Sequence, residues 1–162
     1  MSISKKSTAY NMSGMKVFLD TNIFMEFFEQ RTKCEVVRSI LHAIEDKKML
    51  GVISSGSLYT LTYLLTKGLK RNNVHRPEQT ERLRNLLRLI VSLCTVVDTT
   101  HAKLVSAIND ESFIDIEDSY QYQCAIQNGC TQLVTINIKD YKDADQASIE
   151  ILTPEEFVDK YL

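Results

Sequence analysis

Five short apolar runs rich in β-branched residues recur along the chain, at residues 16–19, 51–54, 95–98, 132–136 and 148–152. They read as buried strands. Between them the apolar spacing turns helical: Cys34, Val37, Ile40, Leu41 and Ile44 mark one face, Leu58, Leu61, Leu64 and Leu65 a second, and Leu83, Leu86, Leu87, Ile90 and Leu93 a third. Strand followed by helix, repeated, predicts an α/β fold on a parallel sheet.

Polar residues punctuate these segments. Thr153 at an N-cap, Pro154 at the first helical position and Glu156 three residues after the cap spell a capping box that starts the last helix. Asp115 likewise reads as an N-cap, with Asp118 three residues on and Asn128-Gly129 as the stop of that helix. The polar break at residues 67–73, running on to Pro77, predicts a mobile loop. Residues 1–14 read as a flexible tail, with Met12 and Met15 as alternative starts, and residues 15–162 as a single domain without repeats or linkers.

Composition narrows the class. A chain of 162 residues with 44% hydrophobic positions, five Gly and two Pro has the makings of one folded domain rather than a disordered or fibrous chain. No apolar stretch is long enough for a bilayer, and the first 14 residues lack the apolar core of a signal peptide, so a cytoplasmic protein is expected. Cys34, Cys94, Cys124 and Cys130 form no CxxC pair and have no His at ligand spacing, which predicts buried reduced thiols and no zinc site. The formal net charge of −2 argues against binding nucleic acid by bulk charge. Its distribution is uneven: Lys67, Lys70, Arg71, Arg76, Arg82, Arg84 and Arg88 crowd one stretch, whereas Asp110, Glu111, Asp115, Glu117 and Asp118 crowd another.

The chemistry-bearing residues sit where strands end. Asp20-Thr21-Asn22 follows the first run, Asp118 lies in the first turn of a helix, and Asn137 and Asp140 follow the fourth run. Each has a local structural reading as a cap or a turn. Taken together they place Asp20, Asp118, Asn137 and Asp140 near one edge of a parallel sheet, the edge where such folds bind ligands. Carboxylates gathered there repel one another unless a cation is bound, and hard oxygen ligands of this kind suit Mg²⁺ or Mn²⁺.

The stretches Val17-Phe18-Leu19-Asp20-Thr21-Asn22, Asp115-Ile116-Glu117-Asp118 and Leu133-Val134-Thr135-Ile136-Asn137-Ile138-Lys139-Asp140-Tyr141, with the closing Leu152-Thr153-Pro154-Glu155-Glu156-Phe157, resemble PIN-domain proteins. These are the VapC-like, PilT N-terminus-type nucleases. The resemblance implies a three-layer α/β/α fold with a central five-stranded parallel sheet in the order 3-2-1-4-5. It also implies that Asp20, Asp118 and Asp140 are catalytic metal-binding carboxylates, that Asn137 joins them at the metal, and that Asn22 shapes the site. One position departs from the pattern: where the family usually carries a Glu in the helix after the second strand, this chain has Thr60. A hydroxyl is a weaker ligand, and Glu117, Asp115 or Glu26 are the acids available to compensate.

The function implied by the resemblance is that of a Mg²⁺- or Mn²⁺-dependent ribonuclease, as the toxin of a toxin–antitoxin pair. Lys67, Lys70, Arg71 and Arg76 are its candidates for gripping RNA phosphates. A small antitoxin protein and a homodimer are its expected partners. The alternative is a catalytically weak or silent PIN-like domain that binds RNA or a protein partner through the same cleft. A response-regulator-like phosphoacceptor would share the acidic edge but needs a paired acid near the first strand and a Lys closing a late strand, and Lys139 instead follows Asn137.

Overall fold

The computed structural model describes residues 12–162. Along the chain come β1 (Lys16–Leu19), α1 (Thr21–Phe28), α2 (Cys34–Glu45), β2 (Leu50–Ser54), α3 (Ser55–Arg71), α4 (Glu78–Leu93), β3 (Cys94–Val97), α5 (His101–Ile108), α6 (Ile116–Gln127), β4 (Gln132–Val134), a short 3-10 helix (Ile138–Tyr141), β5 (Glu150–Leu152) and α7 (Pro154–Tyr161). The sheet has the order β3-β2-β1-β4-β5 and every pairing is parallel. Phe18 of β1 faces Val52 on one side and Leu133 on the other.

The twofold alternation of strand side chains divides the apolar residues between two faces. Val17 and Leu19 point into a cluster with Ile23, Ile40, Ile44, Leu61, Ile90 and Phe157, which seats α1, α2, α3, α4 and α7. Phe18 points the other way, toward Tyr122, Cys124, Ala125, Leu133 and Tyr141, and so seats α6. The result is three layers with the sheet in the middle. Local chemistry starts the helices: the side chains of Ser54, Thr100, Asp115 and Thr153 accept backbone N–H bonds at the heads of α3, α5, α6 and α7. At α7 the capping box is complete, with Thr153 N donating to Glu156 Oε2 at 2.8 Å and Glu156 N to Thr153 Oγ1 at 3.2 Å.

Several expectations need correction. The break at residues 67–73 is not a loop up to residue 71, because α3 runs unbroken through Lys67, Gly68, Lys70 and Arg71. Lys, Arg and Leu are good helix formers, and the cations of the last turn complement the negative end of the helix. The connection itself is residues 72–77, pinned by buried Val74, whose carbonyl accepts from Gln79 Nε2 at 2.9 Å. Strands β3, β4 and β5 are also shorter than their apolar runs or shifted by a residue. Helix α5 carries no readable apolar pattern, since Ala107 is its one buried residue while Leu104, Val105 and Ile108 are exposed, leaving no inward stripe.

All four cysteines are buried and free, and burial pushes the Cys94 and Cys130 thiols up to about 12. No helix among the described residues is long and apolar enough to cross a membrane. The expected tail falls outside the described residues except for Met12, Ser13 and Gly14, which form a turn closed by Met15 N donating to Met12 O at 2.9 Å.

Gly51 marks the tightest layer contact. A Cβ there would lie 2.8 Å from Ile44 Cδ1 and 2.9 Å from Cys94 Sγ. Gly51→Ala is expected to lower unfolding stability by about 1–2 kcal/mol, read as a lower urea midpoint. Gly56→Ala, whose Cβ would meet nothing closer than Ser54 Oγ at 3.6 Å, should leave the midpoint unchanged or raise it.

Candidate active site

The strand order reverses direction at β1, which has β2 on one side and β4 on the other. Asp20 leaves β1 at this switch point, its N–H still bonded to Val134 O at 3.0 Å, and its extended backbone turns into α1. Its side chain is 3% exposed. Four donors converge on the carboxylate: Asn22 Nδ2 at 2.9 Å and Thr135 Oγ1 at 2.6 Å on Oδ2, Gln121 Nε2 at 3.0 Å and Asn22 N at 3.4 Å on Oδ1. No cation is among them. Burial raises the Asp20 pKa above the ordinary range, and these hydrogen bonds work against that rise. Asp20 is therefore a cap, as its local sequence suggests, and far more strongly held than a cap requires.

The donors are themselves fixed. Gln121 Oε1 accepts from Thr21 N at 3.1 Å and from Ser57 Oγ at 3.3 Å, and Ser57 is bonded to Ser54, the cap of α3, at 2.8 Å. Asn22 Oδ1 accepts from Ile136 N at 3.1 Å, so one amide side chain ties the start of α1 to the chain leaving β4. Asn137 N then donates to Thr135 Oγ1 at 3.1 Å, and Asp140 N to Asn137 O at 3.0 Å. These bonds aim Asn137 and Asp140 at the same opening.

From the other side α6 brings its first turn. Asp118 Oδ1 accepts from Tyr141 OH at 3.3 Å, and Tyr141 is fully buried against Phe113. Burial raises the Asp118 pKa to about 7, reinforced by the charges of Asp20, Asp115 and Asp140, with only the tyrosine bond opposing. Glu117, half-buried, is also raised, by burial and by Asp115 and Asp20, while the Thr60 hydroxyl bonds to it and Thr21 Oγ1 reaches it at 3.5 Å.

The cleft holds about 360 Å³, and it is lined by Asp20, Asn22, Thr60, Asp115, Glu117, Asp118, Asn137 and Asp140. Opposite them stand Arg31, Lys67 and Arg71. Three sequence candidates lie elsewhere. Glu26 is buried with Oε1 accepting from Lys33 N at 2.5 Å, so it braces the turn into α2 and cannot compensate for Thr60. Lys70 is exposed outside the cleft lining, and Arg76 lines a separate groove with Arg84 and Arg88. Sequence reasoning alone does not find Gln121, Thr135 or Arg31. Gln121 has one sequence signal, a polar residue three positions after Asp118 on the same helix face.

The donors facing the cleft are hard oxygens, and their mutual repulsion is what a divalent cation would relieve. Among the described residues no three acidic, histidine or cysteine side chains stand close enough to enclose an ion by themselves. That arrangement fits a small hard cation bound through one or two carboxylates and water, not a closed protein cage.

A family model for the PIN domain matches residues 16–139. The chain belongs to the PIN-domain family. Ribonuclease VapC1 of Aquifex aeolicus (strain VF5) is 28% identical over 156 residues, spanning 93% of this chain and 98% of that protein. The PIN-domain fold is similar to VapBC2 from Rickettsia felis, solved bound to a DNA fragment from its promoter, with a TM-score of 0.62, 20% identity, and coverage of 86% of this chain and 98% of that one. It is also similar to VapC20 of Mycobacterium tuberculosis, a toxin that cleaves the sarcin-ricin loop, with a TM-score of 0.52, 15% identity, and coverage of 72% and 86%. PIN-domain ribonucleases of the VapC kind are generally dependent on divalent metal.

Because Asp118 keeps its proton to about pH 7, against an ordinary 3.8, the metal-free native state binds a proton that the unfolded chain has released. Stability therefore falls as pH rises through that window and is lowest above it. In EDTA, the thermal midpoint is expected to be lower at pH 8 than at pH 6, and Asp118→Asn to shrink that difference. An unchanged difference in the variant would place the titration elsewhere.

Proposed function

We propose that the chain is a Mg²⁺- or Mn²⁺-dependent ribonuclease that hydrolyses RNA phosphodiester bonds. The carrying observation is the convergence of Asp20, Asp118, Asp140 and Asn137 from three separate segments on one cleft at the switch point of a PIN fold. The relative named as a ribonuclease supports the same reading.

In this scheme Asp20, Asp118 and Asp140 are the catalytic carboxylates and, with Asn137, hold the ion. Bound there, such an ion lowers the pKa of water and offsets charge on the scissile phosphate. The protein's own part is placement. Asn22, Gln121 and Thr135 fix the Asp20 rotamer, Tyr141 fixes Asp118, and the 3-10 turn presents Asp140. Across the cleft, Arg31, Lys67 and Arg71 bind flanking phosphates, and Glu29 spaces the two arginines by accepting from Arg31 at 2.5 Å and Arg71 at 2.9 Å.

The biological role we infer is a cytoplasmic toxin of a toxin–antitoxin pair, as VapC20 is a toxin. Its partners would be a small antitoxin whose Arg or Lys enters the acidic cleft, and a second copy of the chain. Thr60 favours a second reading, a catalytically weak or silent domain that binds RNA or protein through the same cleft.

Incubated with Mn²⁺, the protein should cleave labelled unpaired RNA, lose that activity in EDTA, and lose at least roughly 100-fold of its rate on Asp20→Asn, a barrier increase of ~2.7 kcal/mol. Cleavage that survives Asp20→Asn unchanged would sink the nuclease reading. Uptake of RNA without metal, with no gain on its addition, would support the silent one.

Glu117 is bonded to Thr60 at the cleft wall and supplies a carboxylate near the place where the α3 helix lacks one. Thr60→Glu is therefore expected to tighten Mn²⁺ binding by about tenfold, ~1.4 kcal/mol, in titration calorimetry. If affinity does not improve, the hydroxyl at Thr60 is not what limits the site.

A further inference from the structure

Helix α3 carries two tyrosines with no part in the core. Tyr59 is 74% exposed and Tyr63 62% exposed, although burying an aromatic ring is among the larger gains available to a folded chain. Four residues apart, they lie on one face of the helix, with an axial separation of roughly 6 Å. The next residue on that row is Lys67, whose Nζ lies 5.3 Å from the centroid of the Tyr63 ring. Lys67 also lines the cleft, as do Thr60 and Leu64, the residues next to each tyrosine. The row Tyr59, Tyr63, Lys67 is thus the outer lip of the wall that faces the acids.

This lip is cationic as well as aromatic. Helix α3 contains no Asp or Glu, and its last turn carries Lys70 and Arg71. A second copy seated symmetrically on the row would bring those cations against their own images. A polyanion with flat apolar faces matches both features at once.

We propose that Tyr59 and Tyr63 form a stacking platform for two unpaired bases of an RNA strand leaving the cleft, with Lys67 and Arg71 on its phosphates. The proposal rests on the ribonuclease reading and adds the substrate class: unpaired RNA, at least beside the cleavage point. In a duplex the base faces are already stacked, so exposed rings gain nothing there, whereas any unpaired base offers a π-face.

The test uses the full chain in the Asp20→Asn background with Mg²⁺, and measures anisotropy of a labelled unstructured oligoribonucleotide and of the same strand annealed to its complement. Tyr59→Ala with Tyr63→Ala should weaken single-strand binding by at least roughly 30-fold, the lower end for two stacked bases. Tyr59→Phe with Tyr63→Phe should hold affinity within about threefold, and duplex binding should not respond to either pair. A thermal melt checks that all variants are folded. Equal single-strand affinity in the alanine pair overturns the platform, as does an equal loss for duplex. So does sedimentation showing that the alanine pair splits a dimer while RNA affinity is unchanged, which would assign the tyrosines to self-association. If the wild type cleaves RNA while the alanine pair binds it normally, the platform fails and the nuclease reading stands. If the wild type neither binds nor cleaves RNA, the nuclease reading itself has failed.

Discussion

A carboxylate buried between two parallel strands is costly, and the placing of Asp20 governs the architecture around it. An ionised side chain with 3% exposure and no cation beside it is tolerable only if its lone pairs are filled. Charge-assisted hydrogen bonds contribute about 1.5–3 kcal/mol each, and Asp20 has four donors available. They come from separate structural obligations. Asn22 belongs to the first turn of α1, Thr135 to the chain leaving β4, and Gln121 to α6, so the acid cannot be satisfied until three segments have met. The helix order and the parallel pairing of β1 with β4 are what make that meeting occur. Replacing any one donor would leave a buried polar group unmatched as well as a carboxylate less restrained.

The same residues explain why the cleft is strongly polarised. Asp118, Asp115, Glu117 and Asp140 face a space already biased by Asp20, and the result is an Asp118 that stays protonated to about pH 7. The opposite wall would neutralise this if its cations could reach across. Glu29 prevents that by engaging Arg31 and Arg71 at the rim. Exposed ion pairs of this sort add little to stability. Their value is positional, because they keep a basic wall and an acidic floor apart, with room between them for a phosphate chain and a cation.

Much of this was legible in the sequence, for reasons that differ by residue. The strand runs and the faces of α2, α3 and α4 were readable because burial on a sheet imposes strict periodicity. Asp115 and Thr153 were readable because capping chemistry is local. Asp20, Asp118, Asn137 and Asp140 were readable as addresses at strand and helix ends. Arg31 was not, since it lies in a bend between α1 and α2 that carries no pattern. Residues 67–71 misled because Gly68 amid charged neighbours looks like a break, whereas in the fold the glycine's bare backbone faces Glu29, with Glu29 Oε1 3.6 Å from where a Cβ would sit. Helix α5 hid for the opposite reason, having almost nothing to bury.

Thr60 and Glu26 show how far a positional argument reaches before geometry must take over. Both acids flanking the expected gap, Glu26 and Glu117, are close in sequence terms to elements that border the cleft. Only Glu117 faces it, because Glu26 is consumed by the N–H of Lys33 on the turn into α2. A carboxylate on the first turn of α6 meets the hydroxyl of Thr60 from the side, whereas one on α3 would project from that position itself. The two arrangements deliver similar charge to the cleft from different helices. The α6 arrangement clusters three acids, Asp115, Glu117 and Asp118, on one helical turn, where the charge of Asp115 raises the proton affinity of both Glu117 and Asp118. A site built that way yields its protons readily only when a cation arrives, so cation binding and acid release become one event.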